Sequence, residues 1–205
     1  MNSQTTQIIQ QAIKLLRNGK LVAIPTETVY GLAADATNIN AVKKIFAVKG
    51  RPLNHPLPLM VARETDLNNL AIDIPKITYK LTEKFWPGPL TIVLKKSPSI
   101  STIITGGLET IALRCPDHPL TQKILQSFPQ GLAVPSANLF GEPPPISAEE
   151  VKQTLGNKID LIVDGGECKL KSASTIVDLT CEKPKILRQG PIPQTEINNL
   201  FFSQI

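Results

Sequence analysis

LVAIPTETVYGLAADATNINAVKKIFAVKGRP, residues 21–52, decides how this chain is read. Residues 21–24 are a short apolar run with β-branched members. Pro25 ends it by removing a backbone donor and fixing φ, so Thr26, Glu27 and Thr28 are delivered at a strand end. Open α/β sheets bind their ligands at strand ends. Thr37 or Asn38 then caps a helix whose Ile39, Val42, Ile45 and Phe46 recur at helical spacing, with Gly50 to close it. Lys49 and Arg51 emerge together at that end. Lys offers a mobile point charge, Arg a planar fork, and the glycine between them lets backbone approach closely, which suits a bound anion. Basic residues in a last turn also complement the helix dipole, so these three residues leave an anion site and a solvated helix end both open.

The chain has 205 residues, enough for one large domain with its own core, and no internal repeat, low-complexity tail or linker divides it, so residues 1–205 are expected to form a single domain. Hydrophobic residues at 41% and a mean hydropathy of +0.01 describe a water-facing globule. The net charge of +5 and pI near 9.1 favour an anionic partner: a nucleotide, a nucleic acid or an acidic metabolite. The N-terminal MNSQTTQIIQQ lacks the basic region and apolar core of a signal peptide, and no later run approaches membrane-spanning length, so a cytoplasmic protein with no membrane partner is expected. Cys115, Cys168 and Cys181 are far apart without a CxxC and read as reduced, space-filling thiols. His55 and His118 form no HExxH or HxH, which argues against a transition-metal centre.

The remaining periodicity alternates helices and strands irregularly. Helices are expected over 4–18 with Ser3 as cap, over 65–70, from Pro75 through Phe85, over 119–128, after Ser147, and after Pro193; strands over 57–61, 90–94, 110–113, 132–134, 161–163, 175–179 and 185–187. The pattern predicts an α/β or α+β fold, a twisted sheet of mixed strand direction with flanking helices. Functional residue types gather at element ends. Arg114 closes an apolar strand before Cys115-Pro116, where a ligand carboxylate and a surface ion pair are equally served. Ser136 and Asn138 follow Pro135 on one side of an extended segment and offer a hydroxyl and an amide to one ligand, or form a plain turn. Thr26, Lys49, Arg51, Arg114, Ser136, Asn138, Ser174 and Arg188 would give a converging cavity four cations, several hydroxyls and few acids. Trp86, beside Pro-Gly-Pro, is read as a packed hinge in preference to a base-stacking platform.

Several segments together resemble one family, the YrdC-like L-threonylcarbamoyladenylate synthases. They are Pro25-Thr26-Glu27-Thr28-Val29-Tyr30-Gly31-Leu32, Lys49-Gly50-Arg51-Pro52 with Pro56-Leu57, Trp86-Pro87-Gly88-Pro89, Arg114-Cys115-Pro116, Ser136-Ala137-Asn138, Ser174-Thr175-Ile176-Val177-Asp178, and Leu187-Arg188 with Gly190. The resemblance implies a mixed α/β fold around a positive cavity and a nucleotidyltransferase that turns L-threonine, bicarbonate and ATP into threonylcarbamoyl-AMP and diphosphate. It further implies a tRNA-modifying threonylcarbamoyl transferase complex as partner, with direct RNA or tRNA binding left open. On the same ground Lys49, Arg51, Ser136 and Asn138 are the catalytic tetrad. Thr26, Arg114 and Ser174 bind the amino acid, and Lys49, Thr110, Ser136 and Arg188 bind ATP. Mg²⁺ is expected as the counter-ion of ATP without a dedicated protein cage. His55 faces either the cavity or the surface. Longer relatives carry a C-terminal extension absent from this sequence, which leaves retention of the unstable product open.

Two other readings compete. A non-enzymatic RNA-binding module would use the same basic concavity, but aromatic residues are only 4% of the chain and supply no stacking pattern. An enzyme that carries a carbamoyl group through an adenylate without threonine would share the fold.

Overall fold

Pro25 follows the last residue of the first strand as expected, but the chain then doubles back as a second strand before the next helix begins. In the computed structural model, which describes residues 3–202, helix α1 (Ser3–Arg17) leads into β1 (Val22–Ile24), and β2 (Gly31–Asp35) returns antiparallel to it, with Val22 opposite Ala33 and Ile24 opposite Gly31. Residues 1–2 of the expected N-terminal segment and 203–205 of the expected domain lie outside the described residues. Ser3 is the first residue of α1 and not its cap. Strand β2 was not expected, because Gly-Leu-Ala-Ala-Asp has no β-branched residue; burial between two layers overrides its weak strand propensity.

Helix α2 (Ile39–Lys49) is capped by Asn38, whose side chain accepts from the Ala41 N–H at 3.1 Å, while Thr37 donates its hydroxyl to Asp35. Gly50 closes the helix at φ +62°, the left-handed conformation that a Cβ disfavours, and Arg51 N–H donates to Phe46 O. The order continues β3 (Leu59–Met60), α3 (Leu67–Leu70), β4 (Ala71–Ile72), α4 (Lys76–Phe85), β5 (Leu90–Lys96), α5 (Thr102–Thr105), β6 (Thr110–Arg114), α6 (Pro119–Leu125), β7 (Leu132–Ala133), α7 (Ala148–Leu155), β8 (Leu161–Ile162), β9 (Thr175–Asp178), β10 (Lys185–Arg188) and α8 (Gln194–Phe202). Ser147 caps α7 as its sequence predicts, accepting from Glu150 N–H at 3.2 Å. Helix α6 stops at Leu125, short of the expected Phe128, and the short α5 and β4 carry no periodicity that a sequence window could register.

One sheet runs β10-β9-β5-β6-β3-β7-β2-β1-β8, with β4 added to β5. The pairs β5/β9, β3/β6 and β1/β8 are parallel and the others antiparallel, so the mixed α/β architecture is as expected. Alternate residues of the run 21–24 go to opposite faces: Leu21 and Ala23 join one core with α2, α4 and α7, whereas Val22 and Ile24 join α1 and α6 on the other. A strand covered on both sides reads as a continuous apolar run, which is why 21–24 is legible. Trp86 donates its indole N–H to Leu90 O at 2.7 Å, which fits the hinge reading. Cys115 and Cys168 are buried free thiols, raised to about 11 by burial, but Cys181 is exposed, contrary to the space-filling expectation.

Candidate active site

Strands β5, β6, β9 and β10 and the segments after β1, α2 and β7 enclose a cavity of about 480 Å³. That volume suits a small-molecule ligand. Arg51, Arg114, Ser136, Asn138, Ser174 and Arg188 all line it.

Arg114 closes β6 opposite Thr91 of β5. Its Nε donates to Gly88 O at 3.2 Å, and its Nη2 lies 2.8 Å from Glu27 Oε1, with both side chains nearly inaccessible. Across the cavity floor, Ser174 Oγ and Thr91 Oγ1 are 2.7 Å apart. Arg188 reaches back from β10 to donate Nε to Ser174 O at 3.0 Å and Nη2 to Ser174 Oγ at 3.1 Å. Burial, and then the charge of Arg114, hold the Arg188 guanidinium below its ordinary pKa.

Arg51 leaves the end of α2 and donates to the carbonyls of His55 at 3.2 Å and Pro56 at 2.8 Å. Its guanidinium lies 5.4 Å from the centre of the Phe140 ring, a cation–π contact, and His55 packs edge-on against the same ring at 4.9 Å. Burial lowers the Arg51 pKa as well. Asn138 spends both amide donors inside the loop, on Leu139 O at 2.8 Å and Glu142 O at 2.6 Å, and its buried Oδ1 has no hydrogen-bond partner.

Lys49 departs from expectation. It is 2% exposed and is not part of the cavity lining; its Nζ donates to Ser136 O at 2.5 Å and also to Asn138 O. The ammonium thus ties the loop to α2 from behind. Burial, with a smaller contribution from Arg51, lowers its pKa from 10.5 to about 8.

Two further residues fall outside the wall. The Thr26 hydroxyl donates to Val29 O at 2.6 Å and accepts from the N–H groups of Thr28 and Val29, so it shapes the turn after β1. Thr110 sits at the far end of β6, paired with Lys95, and the cavity begins two residues later at Ala112. The cavity is poor in acids as expected: Glu142 is the one carboxylate among the described lining residues, and Glu27 stands behind Arg114. Glu27, Thr91 and Tyr30 were passed over as site residues. The lone hydroxyl in the apolar Leu-Thr-Ile-Val run was the available signal for Thr91; Glu27 was visible only as part of its motif. Tyr30 donates its phenol to Gly166 O at 2.8 Å and accepts from Gly165 N–H at 3.1 Å, anchoring the 165–166 turn.

Among the described residues no group of three His, Cys, Asp or Glu side chains could hold a metal ion, and no helix is long and apolar enough to cross a membrane.

The sequence model of the Sua5/YciO/YrdC family, described as telomere recombination, matches residues 14–190. The threonylcarbamoyl-AMP synthase of Pyrococcus abyssi is 46% identical over 192 residues, which is 94% of this chain and 56% of that protein. The corresponding Bacillus subtilis protein is 44% identical over 190 residues, 92% of this chain and 55% of its own length. The crystal structure of P. abyssi Sua5 complexed with L-threonine superposes with a TM-score of 0.91 at 46% identity, covering 94% of this chain and 56% of the other. This chain therefore spans about half the length of the curated relatives it matches.

Proposed function

This chain belongs to the Sua5/YciO/YrdC family, and from that premise we propose that it is a threonylcarbamoyl-AMP synthase, a nucleotidyltransferase acting on L-threonine, bicarbonate and ATP. One observation carries the proposal: three arginines, two serines and an asparagine from separated segments line a single cavity. Such a set suits a reaction that brings a carboxylate, a carbamate and a triphosphate together. The threonine amine forms a C–N bond to bicarbonate, with loss of water, or to carbon dioxide, with loss of a proton, giving a carbamate. A carbamate oxygen then attacks the α-phosphorus of ATP, and the bond to the β,γ-diphosphate breaks. Positioned cations favour that step by meeting charge where it develops.

In this scheme Arg114 and Ser174 take the amino acid, and Arg188, Ser136 and Arg51 take the phosphates. Asn138 completes the loop that carries Ser136. Lys49 acts through that loop by gripping its carbonyls, and Thr26 through the turn it closes. Thr110 stands too far along β6 to hold more than an outer part of the nucleotide. Mg²⁺ arrives as part of MgATP, bound by phosphate oxygens and water, with Glu142 the one carboxylate in the described wall. We place the protein in the cytoplasm, handing its product to a tRNA-modifying threonylcarbamoyl transferase complex. Tyr30, the one aromatic residue among the described residues of the wall, is fully buried with its hydroxyl committed to the 165–166 turn, so a base-stacking RNA module gains nothing from it.

Purified protein given ATP, L-threonine and bicarbonate should release diphosphate in a threonine-dependent manner. Release no greater than with ATP alone would overturn the reading.

A further inference from the structure

Glu27 is a carboxylate almost sealed from water, and the scheme above gives it no role. Its Oε1 stands 2.8 Å from Arg114 Nη2, its Oε2 accepts the Asp117 N–H at 3.1 Å, and its backbone carbonyl accepts from Leu170 N–H at 2.8 Å. The side chains of the pair are 5% and 6% exposed. A charge at such depth is unfavourable without a partner, so these two charges hold each other in place.

What the pairing leaves free is specific. Arg114 Nε is spent on Gly88 O, so one edge of the fork is committed to the protein. Nη2 is sealed from solvent against the Glu27 carboxylate, so among the described residues it is the Nη1 end of the guanidinium, with no protein hydrogen bond, that remains for a ligand in the cavity Arg114 lines. The electrostatics are equally uneven. Among the described residues Arg51 and Arg188 are matched only by neutral carbonyl and hydroxyl oxygens and bring surplus positive charge to the cavity. Arg114 has its charge balanced from behind.

We propose that Glu27 is a positioning residue that turns Arg114 into a charge-balanced reader of the amino-acid carboxylate, and thereby reserves that subsite against the polyphosphate. The inference rests on the synthase reading. A triphosphate or diphosphate seeks the uncompensated guanidiniums, Arg51 and Arg188, whereas a single carboxylate is served by the directional end of Arg114. Glu27 touches neither substrate and acts only through Arg114.

The test is calorimetric titration of the full chain with L-threonine and, separately, with inorganic diphosphate. In Glu27→Gln, threonine should bind roughly tenfold more weakly, since one partner of a buried charge pair is lost, while diphosphate should bind several-fold more tightly to the unbalanced Arg114. Glu27→Asp keeps the charge and guards against a folding defect in the first variant; it should lose threonine affinity without gaining diphosphate affinity. With Arg114→Gln already present, Glu27→Gln should change neither ligand further. A purely structural glutamate would weaken both ligands alike and add its effect to that of Arg114→Gln. That pattern, or unchanged affinities in Glu27→Gln, overturns the inference while leaving the synthase reading intact. A wild-type protein that binds no threonine overturns both.

Discussion

Lys49 Nζ donates to the backbone carbonyl of Ser136 at 2.5 Å from a side chain that is 2% exposed. A lysine so placed orders a loop and cannot reach freely into the cavity. Its titration reports the burial. In the folded chain the pKa is about 8 against 10.5 unfolded, so between these values the unfolded state holds more protons. The contribution of Lys49 to stability is therefore least below pH 8 and grows as pH rises toward 10.5. The wild type should gain on the order of 1–3 kcal/mol relative to Lys49→Met between pH 7.5 and 10.5, roughly the differential of the two pKa values. Denaturant unfolding of both proteins across that range checks it, and a flat difference contradicts the placement. Lys49→Ala should also lower both stability and turnover, because the loop carrying Ser136 and Asn138 loses its tie.

Arg51 is expected to behave differently. It is half-buried, its partners are the loop carbonyls of His55 and Pro56, and its charge faces the cavity. Arg51→Ala should fold normally and lose about a hundredfold in turnover, the scale of one preorganised electrostatic group. Arg51→Lys should recover little, since a point charge cannot span two carbonyls and lie against the Phe140 ring. Diphosphate release with circular dichroism as the folding control separates the two effects.

These contrasts mark how far the sequence could be read. The helix end at Lys49-Gly50-Arg51, which brings Arg51 to the cavity wall, was legible because helix spacing, the Asn38 cap and the left-handed Gly50 are local features. The tie of Lys49 to the loop that carries Ser136 and Asn138 was not legible, because its partners are backbone carbonyls 87 and 89 residues away. The local use of the Thr26 hydroxyl was hidden for the opposite reason: it is spent within three residues, in a turn that its strand-end position disguised. The pairing of Glu27 with Arg114 joins residues that no spacing rule connects. Mixed strand direction was inferred from irregular alternation, whereas β2 required knowing that both of its faces would be covered.

Gly190 holds β10 against the start of β9. A Cβ there would stand 2.5 Å from the Ala173 carbonyl oxygen and would run into Thr175 N. Gly190→Ala should therefore push apart the strands that bring Arg188 onto Ser174, at a cost of about 1–3 kcal/mol, typical of overpacking. A fall in Tm on the order of 5 °C follows for a chain of this length, and differential scanning calorimetry measures it. Threonine and ATP should both bind more weakly in this variant, since the displaced backbone carries Ser174 and guides Arg188. Gly107→Ala is the control for substitution itself, because a Cβ at Gly107 meets no heavy atom within 4 Å, although its φ of +87° makes alanine mildly strained there.

Tyr30 carries the last prediction. Its ring is fully buried, and its hydroxyl both donates to Gly166 O and accepts from Gly165 N–H, joining the segment after β1 to the turn that precedes Ala173 and Ser174. Burial raises the phenol to about 12, so it stays protonated, and both hydrogen bonds persist, throughout the neutral range. Tyr30→Phe keeps the ring packing and removes the one atom that satisfies two backbone groups. The cost should be about 1–3 kcal/mol, the penalty for buried groups left without partners. Because the loss is confined to one turn, its signature is local: amide hydrogen exchange should accelerate around residues 165–170 while β5 and β6 remain protected. Leu170 N–H, bonded to the Glu27 carbonyl, is the most informative amide, for its faster exchange would show the disturbance reaching the residue that holds Arg114. Uniform acceleration across the sheet would instead mean that Tyr30 supports the whole core and has no particular hold on this wall of the cavity.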